Sequence, residues 1–568
     1  MISAQLIERP INSMAQERLQ AEGLHPLLAR LWASRGVDDS RDVGSGWSSL
    51  ISPNAMMGAK KAASLLADAI AQSKKLLIVA DYDCDGATAC AVGVLGLRAL
   101  GAKVDFLVPN RFETGYGLSP EVVQIALRHP AGKPDILVTV DNGIASVEGV
   151  KAAREHGIEV VVTDHHLPGD ELPEALAIVN PNQPGCQFPS KNLAGVGVIF
   201  YLLLSLRAEL RERGVYEQGG GPRLDTLSDL VALGTVADVV KLDSNNRILV
   251  TQGLHRMRAG YMQPGIRALF AVSGRDPQKA TAFDLGFGLG PRINAAGRLA
   301  DMSLGIKCLI SDDYDEALRL ARELDSINQQ RRGIELAMRD EAIASLEQES
   351  PAEQSSVCVY RPDWHQGVVG LVASRLKEMY WRPTFAFARS EAGELRGSGR
   401  SIPDLHLRDA LDLVSKRHPG IILKFGGHAM AAGLSLREDA LDTFTKAFDE
   451  AVRYMTGKSS FEPVIETDGS LMVEYANVEV AGLLGLHVWG AGFPPPVFCD
   501  TFTIKQQRLL KERHLKLSLE RDGHVFNAIW FNHAQLLPER VCVAYRLDQN
   551  EWNGNVSTQL LIEHALGL

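Results

Sequence analysis

The sequence predicts a multidomain α/β protein: a parallel-sheet domain, a long connector helix, a smaller α/β domain and a small C-terminal β-barrel or sandwich. Three observations predict it. Short apolar runs alternate with helical stretches over residues 75–180. Residues 313–349 lack proline and contain only Gly333. The segment 514–519, HLKLSL, alternates strictly between polar and apolar residues.

Residues 1–60 read as a helical cap with a loose Gly/Ser stretch at 44–49. Strand-length apolar runs follow at 76–80, 104–109, 135–140, 159–163 and 177–180, with helical stretches at 87–100, 119–128 and 147–156. Short unalternated strands separated by helices predict a parallel sheet covered on both faces. Residues 190–310 are mostly helical, and Leu227, Leu230, Val231, Leu233 and Val236 keep helical spacing. The 313–349 segment carries Leu320, Leu324, Ile327, Ile334 and Met338 on a charged background, which reads as one long helix or two in line. In 355–455, VCVYR and PTFAFA read as strands, GVVGLVASRLKE as a helix and FGGHAMAAG as a glycine-rich turn. HLKLSL, FNAIWF and VCVAYRL at hairpin-like spacings read as a small barrel or sandwich. The expected boundaries are 1–60, 61–312, 313–350, 351–460 and 461–568.

Composition excludes several classes. Of 568 residues, 45% are hydrophobic and 23% charged, a globular balance. The longest apolar run, 196–206, is about half the roughly 20 residues of a membrane helix. Acidic and proline residues come too early in MISAQLIERPINS for a signal peptide. Seven cysteines without a CxxC pair suggest reduced thiols and a cytoplasmic location. The net charge of −10 argues weakly against a protein coated in nucleic acid.

The chemistry gathers where strands end. LLIVA runs into Asp81, Asp83 and Asp85; ILVTV into Asp141; EVVVT into Asp164, His165 and His166. Ligands of an open parallel sheet bind beyond the carboxyl ends of its strands. So many acids without basic partners would repel one another unless divalent cations joined them. Carboxylates with some imidazole suit Mn²⁺ or Mg²⁺ better than structural zinc. Asp at every second position before a glycine also resembles a calcium loop, but a helix follows and the distal Glu is missing. Helix capping accounts for one such Asp, not for three strand ends. Cys84 reads as core. Asp238, in GTVADVV, is by itself a lone acid.

The ordered set DYDCDG, DNG and DHH resembles the DHH phosphoesterase superfamily, and FGGHAMAAG resembles its DHH-associated (DHHA1) domain. PNRFETGYGLSP, LAGVGV, LVALGTVADVV, GPRINAAGRL, WHQGVVG and GSGRS narrow the resemblance to the branch that degrades single-stranded DNA from the 5′ end. It covers essentially the whole chain. It implies a two-metal-ion exodeoxyribonuclease, with two Mn²⁺ or Mg²⁺ ions held by Asp83, Asp85, Asp141, His165 and Asp238. Asp81 and Asp164 would be ligands or would orient them, and His166 would face the scissile phosphate. Arg111, Arg292, Arg298, Ser398, Arg400 and His428 would contact phosphate and the 5′ end. An OB-fold would add backbone contacts from Arg508, Arg513 and Lys516. Trp530, Phe531, Tyr545 and Trp552 suit a small core as well as base stacking. The substrate would be single-stranded DNA with a free 5′ end. The implied partners are a single-stranded-DNA-binding protein and a helicase, in recombination, recombinational repair and mismatch repair, with the chain a monomer. An oligoribonuclease or small nucleotide phosphatase of the same superfamily would resemble only the two catalytic segments and lack the terminal β-domain.

Overall fold

The computed structural model describes residues 4–110, 116–217, 219–349, 354–390 and 393–567. Strand β1 (Gln5–Glu8) precedes helices Ser13–Ala21 and Pro26–Ala33. The first large sheet holds β2 (Lys75–Ala80), β3 (Lys103–Leu107), β4 (Ile136–Val140), β5 (Glu159–Thr163) and β6 (Ala177–Val179). All five are parallel, in the order β3-β2-β4-β5-β6. The three strands with acidic ends are therefore neighbours. Alternate residues serve opposite faces, as the period of a strand requires. Leu76, Ile78, Val138 and Val140 enter the main core, while Leu77, Val79, Leu137 and Val162 enter a second one with Val122, Val123 and Val150. Burial on both faces explains why these strands read as unbroken apolar runs.

The helical region includes Gly195–Glu212, Ser228–Ala237 and Gly290–Leu299. Tyr314–Glu349 is one uninterrupted helix. The second sheet comprises β7 (Val357–Tyr360), β8 (Thr384–Arg389), β9 (Glu394–Arg400), β10 (Ile422–Gly427) and β11 (Ala431–Arg437), in the order β10-β11-β9-β8-β7. FGGHAMAAG is thus strand, turn and strand: Gly426 pairs with Gly433 and Gly427 with Ala432 across the ladder. Phe385, Phe387, Phe444 and Phe448 fill the core of this unit.

Strand β12 (Val464–Thr467) pairs in parallel with β1, a partnership of segments more than 450 residues apart. The C-terminal strands β13 (Phe498–Leu510), β14 (His514–Arg521), β15 (His524–Trp530), β16 (Arg540–Trp552) and β17 (Asn555–Gly567) close a barrel, β13-β14-β15-β17-β16. Closure removes the free edges of a small sheet.

The chain divides into two compact units, 1–8 with 328–467, and 9–327 with 468–568. Within the second, the N-terminal helices join the barrel segment. Trp32 packs edge-on to His487 and Phe493, Trp489 stacks on Phe493, and Arg247 lies 4.2 Å above the Phe493 ring.

Candidate metal centre

Beyond β2 the chain turns through Asp81, Tyr82 and Asp83 into helix Cys84–Ala99. Asp83 caps that helix, its Oδ1 accepting from Gly86 N at 3.0 Å, while Cys84 N donates to Asn294 Oδ1 at 2.8 Å. Asp85 is buried in the first turn. Its two oxygens accept from Gly195 N (2.6 Å) and Val196 N (2.9 Å), the first amides of helix Gly195–Glu212. A helix N-terminus suits a carboxylate. A Cβ on Gly195 would lie 2.5 Å from the Asp141 Cβ, so a larger residue there would push Asp141 away.

Beyond β4, Asp141 is 2% exposed and has φ +61°. The left-handed region is sparsely used outside Gly, Asn and Asp. Asn142 fixes the turn, its Nδ2 donating to Val79 O (3.1 Å) and Val140 O (2.9 Å) and so tying the ends of β2 and β4. Beyond β5, Asp164 accepts from Ile144 N on Oδ2 (2.9 Å) and from His165 N (2.7 Å) and His166 N (3.1 Å) on Oδ1. His166 Nδ1 lies 2.7 Å from the same Oδ1. Asp164 is thus committed to orienting the two histidines. Asp238 follows helix Ser228–Ala237, and the next residue, Val239, has φ +63°.

These ends converge. His165 Nε2 lies 3.1 Å from Asp141 Oδ1, 3.5 Å from Asp238 Oδ2 and 3.9 Å from Asp85 Oδ2. Ligand atoms come within 4.8 Å of one another in three groups: Asp141, His165 and His166; Asp85, His165 and Asp238; Asp81, Asp83 and Asp141. Asp141 Oδ1, His165 Nε2 and Asp238 Oδ2 are buried and find no hydrogen-bond partner among the described residues. Converging buried acceptors without donors are the arrangement a divalent cation completes.

Electrostatics agree. Burial, then the Asp83 charge, pushes the Asp85 carboxyl up to about 7. Burial and neighbouring carboxylates push Asp141 and Asp238 well above the usual range. Burial and His166 lower His165 to about 4, leaving it neutral with a lone pair to give. Burial works against a charged His166, but the hydrogen bond and charge of Asp164 prevail and raise it.

Tyr116, half-exposed, donates to Asp141 O at 3.2 Å and lies 3.2 Å from His166 Nδ1. Within PNRFETGYG the sequence points first to Arg111, and the glycine-flanked aromatic of the same motif is the one signal for this tyrosine. Arg111 lies outside the described residues.

The other expected contacts are dispersed. Arg292 is buried, its Nε donating to Asp325 Oδ1 (2.8 Å) and its Nη1 to Gly288 O (2.6 Å), which gives it a structural engagement. Arg298 is half-buried near the end of the same helix. In the other unit, Arg400 Nη1 donates to Ser398 Oγ at 3.2 Å. A Cβ on Gly370 would touch both side chains. Arg400 pairs with Ala431, whose carbonyl accepts from His428 N, so the three residues share one end of the sheet. In the barrel, Arg508 faces Lys516 across β13 and β14, and Arg513 donates to Asn532. Trp530 and Tyr545 are core residues, Phe531 is exposed, and the side chain of Trp552 lies outside the described residues.

Residues 75–235 match the DHH family, N-terminal domain, residues 354–453 the DHHA1 domain and residues 467–564 the RecJ OB domain. The single-stranded-DNA-specific exonuclease RecJ of Escherichia coli (strain K12) is 49% identical, over 99% of this chain and 98% of its own. The chain belongs to the RecJ family. RecJ of Bacillus subtilis (strain 168) is 34% identical over 98% of this chain and 70% of its own. The crystal structure of RecJ in complex with Mn²⁺ from Thermus thermophilus superimposes with a TM-score of 0.82 at 30% identity, covering 99% of this chain and 79% of that one. A parallel-sheet DHH domain, connector helix, DHHA1 domain and closed barrel are the RecJ arrangement.

Proposed function

We propose that this chain is a metal-dependent exonuclease that degrades single-stranded DNA from the 5′ end to 5′-mononucleotides. One observation carries the reading: Asp85, Asp141, His165 and Asp238 converge, and the buried atoms Asp141 Oδ1, His165 Nε2 and Asp238 Oδ2 have no hydrogen-bond partner among the described residues, in a chain 49% identical to a single-stranded-DNA-specific exonuclease. RecJ of Thermus thermophilus has been solved with Mn²⁺ and with Mg²⁺. The same two ions suit this oxygen-rich set.

Asp83, Asp85, Asp141, His165 and Asp238 would hold two ions, with Asp81 beside them. When bound, the ions supply charge neutralisation at phosphate and a lowered pKa for water. The chain does the rest. The Gly195 and Val196 amides and Asp164 keep the ligands from turning away, which spares reorganisation during reaction. His166, its Nδ1 engaged by Asp164, turns its other edge to the phosphate and can donate a proton. Ser398, Arg400 and His428 form the phosphate contact of the DHHA1 domain, and Arg508, Arg513 and Lys516 that of the barrel.

Family membership further supports a cytoplasmic monomer working in recombination, recombinational repair and mismatch repair with a helicase and a single-stranded-DNA-binding protein. Time-resolved digestion of end-labelled single- and double-stranded DNA with Mn²⁺, Mg²⁺ or EDTA tests the reading. Mononucleotides should leave the 5′ end of single strands only, and not in EDTA. Release from the 3′ end, or activity in EDTA, would refute it.

A further inference from the structure

The run Asp284–Leu289, between Thr281 and the GPRINAAGR helix, is a π-helix. Such turns are uncommon and cost regular hydrogen bonding, so they persist where they place side chains usefully. This one presents Phe283 and Phe287 to solvent, 51% and 64% exposed, with ring centroids 4.7 Å apart and planes 26° from parallel. Two neighbouring phenylalanines left in water forgo the stabilisation that burial would give them. Nor are they loose. Arg275 lies 5.5 Å above the Phe283 ring and is paired with Asp284. Asp284 in turn accepts from Thr281 N and Oγ1 at 2.8 and 2.7 Å.

The helical run that carries the pair packs against the approach to Asp238. A Cβ on Gly286 would be 3.3 Å from Val236 Cγ1, and one on Gly290 3.2 Å from the Ala237 Cβ. These are the two residues before Asp238. Val239, the residue after it, is 70% exposed. Phe287 thus stands in sequence between two glycines that abut the segment leading to Asp238.

We propose that Phe283 and Phe287 are a base-stacking platform of the catalytic domain, which takes an unpaired nucleobase of the strand entering the metal centre. The inference rests on the nuclease reading above. A flat base continues a stack already built from a guanidinium and two rings, and tolerates any sequence because every base has a π-face. A protein side chain as occupant would need a groove, whereas what is fixed here is the orientation of two rings.

Fluorescence anisotropy of a labelled oligo(dT) in EDTA, where nothing is cut, measures the contact. Phe287→Ala should weaken binding about tenfold, Phe287→Leu nearly as much, and Phe287→Trp should hold it near wild type. With abasic residues tiled along the strand, the wild type should lose affinity at one position to which Phe287→Ala is indifferent. Wild-type affinity in the leucine variant, or an abasic penalty equal in both proteins, would overturn the platform and leave the patch to a protein partner. Digestion of the same strand by wild type with Mn²⁺, lost in Asp141→Asn, tests the nuclease reading separately.

Discussion

Arg35 grips both carboxylate oxygens of Asp468, at 2.7 and 2.9 Å, with each side chain 1% exposed. Arg9 reaches the same carboxylate at 3.1 Å. The pair fastens the N-terminal helices to the start of the barrel segment. Removing the bidentate partner of a buried carboxylate is costly even though Arg9 would remain on Asp468. Arg35→Ala should therefore lower unfolding free energy by about 3 kcal/mol, read as a shift of the urea midpoint. A loss under about 0.5 kcal/mol, the level of a surface pair, would contradict this.

Asp141→Asn should abolish hydrolysis and stabilise the metal-free protein. The buried carboxylates crowd one another, so Asp141 folds only by taking up a proton that Asn does not need, and Asn accepts φ +61°. Thermal unfolding in EDTA should show a higher midpoint than wild type, and Mn²⁺ should no longer raise it. Asp141→Ala should share the loss of activity but lack the gain, since its backbone remains strained. A lower midpoint for Asn than for Ala would refute the argument.

Acid should loosen the joint between the N-terminal helices and the barrel segment. Burial, then Arg258, pushes His487 down to about 4 from the 6.5 of a free histidine. A depressed pKa gives stability that is full above 6.5 and fades as pH falls through 4. Between pH 7 and pH 5 the wild type should lose about 1–2 kcal/mol more than His487→Gln. Equal losses in paired denaturation curves would exclude His487.

Arg400→Ala should weaken discrimination between 5′-phosphorylated and 5′-hydroxyl strands. Ser398 and Gly399 hold its guanidinium at the sheet end shared with His428. Competition between the two substrates measures it, and unchanged preference would rule Arg400 out of 5′-end discrimination.

Val239→Asn should raise stability by roughly 0.5–1 kcal/mol, because a β-branched residue is costly at φ +63° and Asn is not. An unchanged or lower urea midpoint would show that the strain is compensated by contacts of the valine.

Much of this was legible in sequence because it is local. Period and length mark β2 to β6, and the acids stand where those strands stop. The long helix followed from a proline-free run, and the barrel from the alternation of His514–Arg521. What escaped is long-range. Parallel pairing of Gln5–Glu8 with Val464–Thr467 leaves no periodic trace in four-residue strands. Asp238 has no signature of its own and is reached from sequence only through the family resemblance; the packing of its helix on Cys84–Ala99 brings it to His165. Tyr116 likewise gains meaning from the histidine it meets in space.

The left-handed backbone at Asp141 has a genetic consequence. Chemistry there asks for a short carboxylate, and the backbone asks for Asn, Asp or Gly. Only aspartate satisfies both. Changes to Asn or Gly at this codon should yield folded protein that still holds a strand yet does not cut it. Such alleles would act dominantly, occupying DNA ends against the intact enzyme, where a deletion would merely be absent.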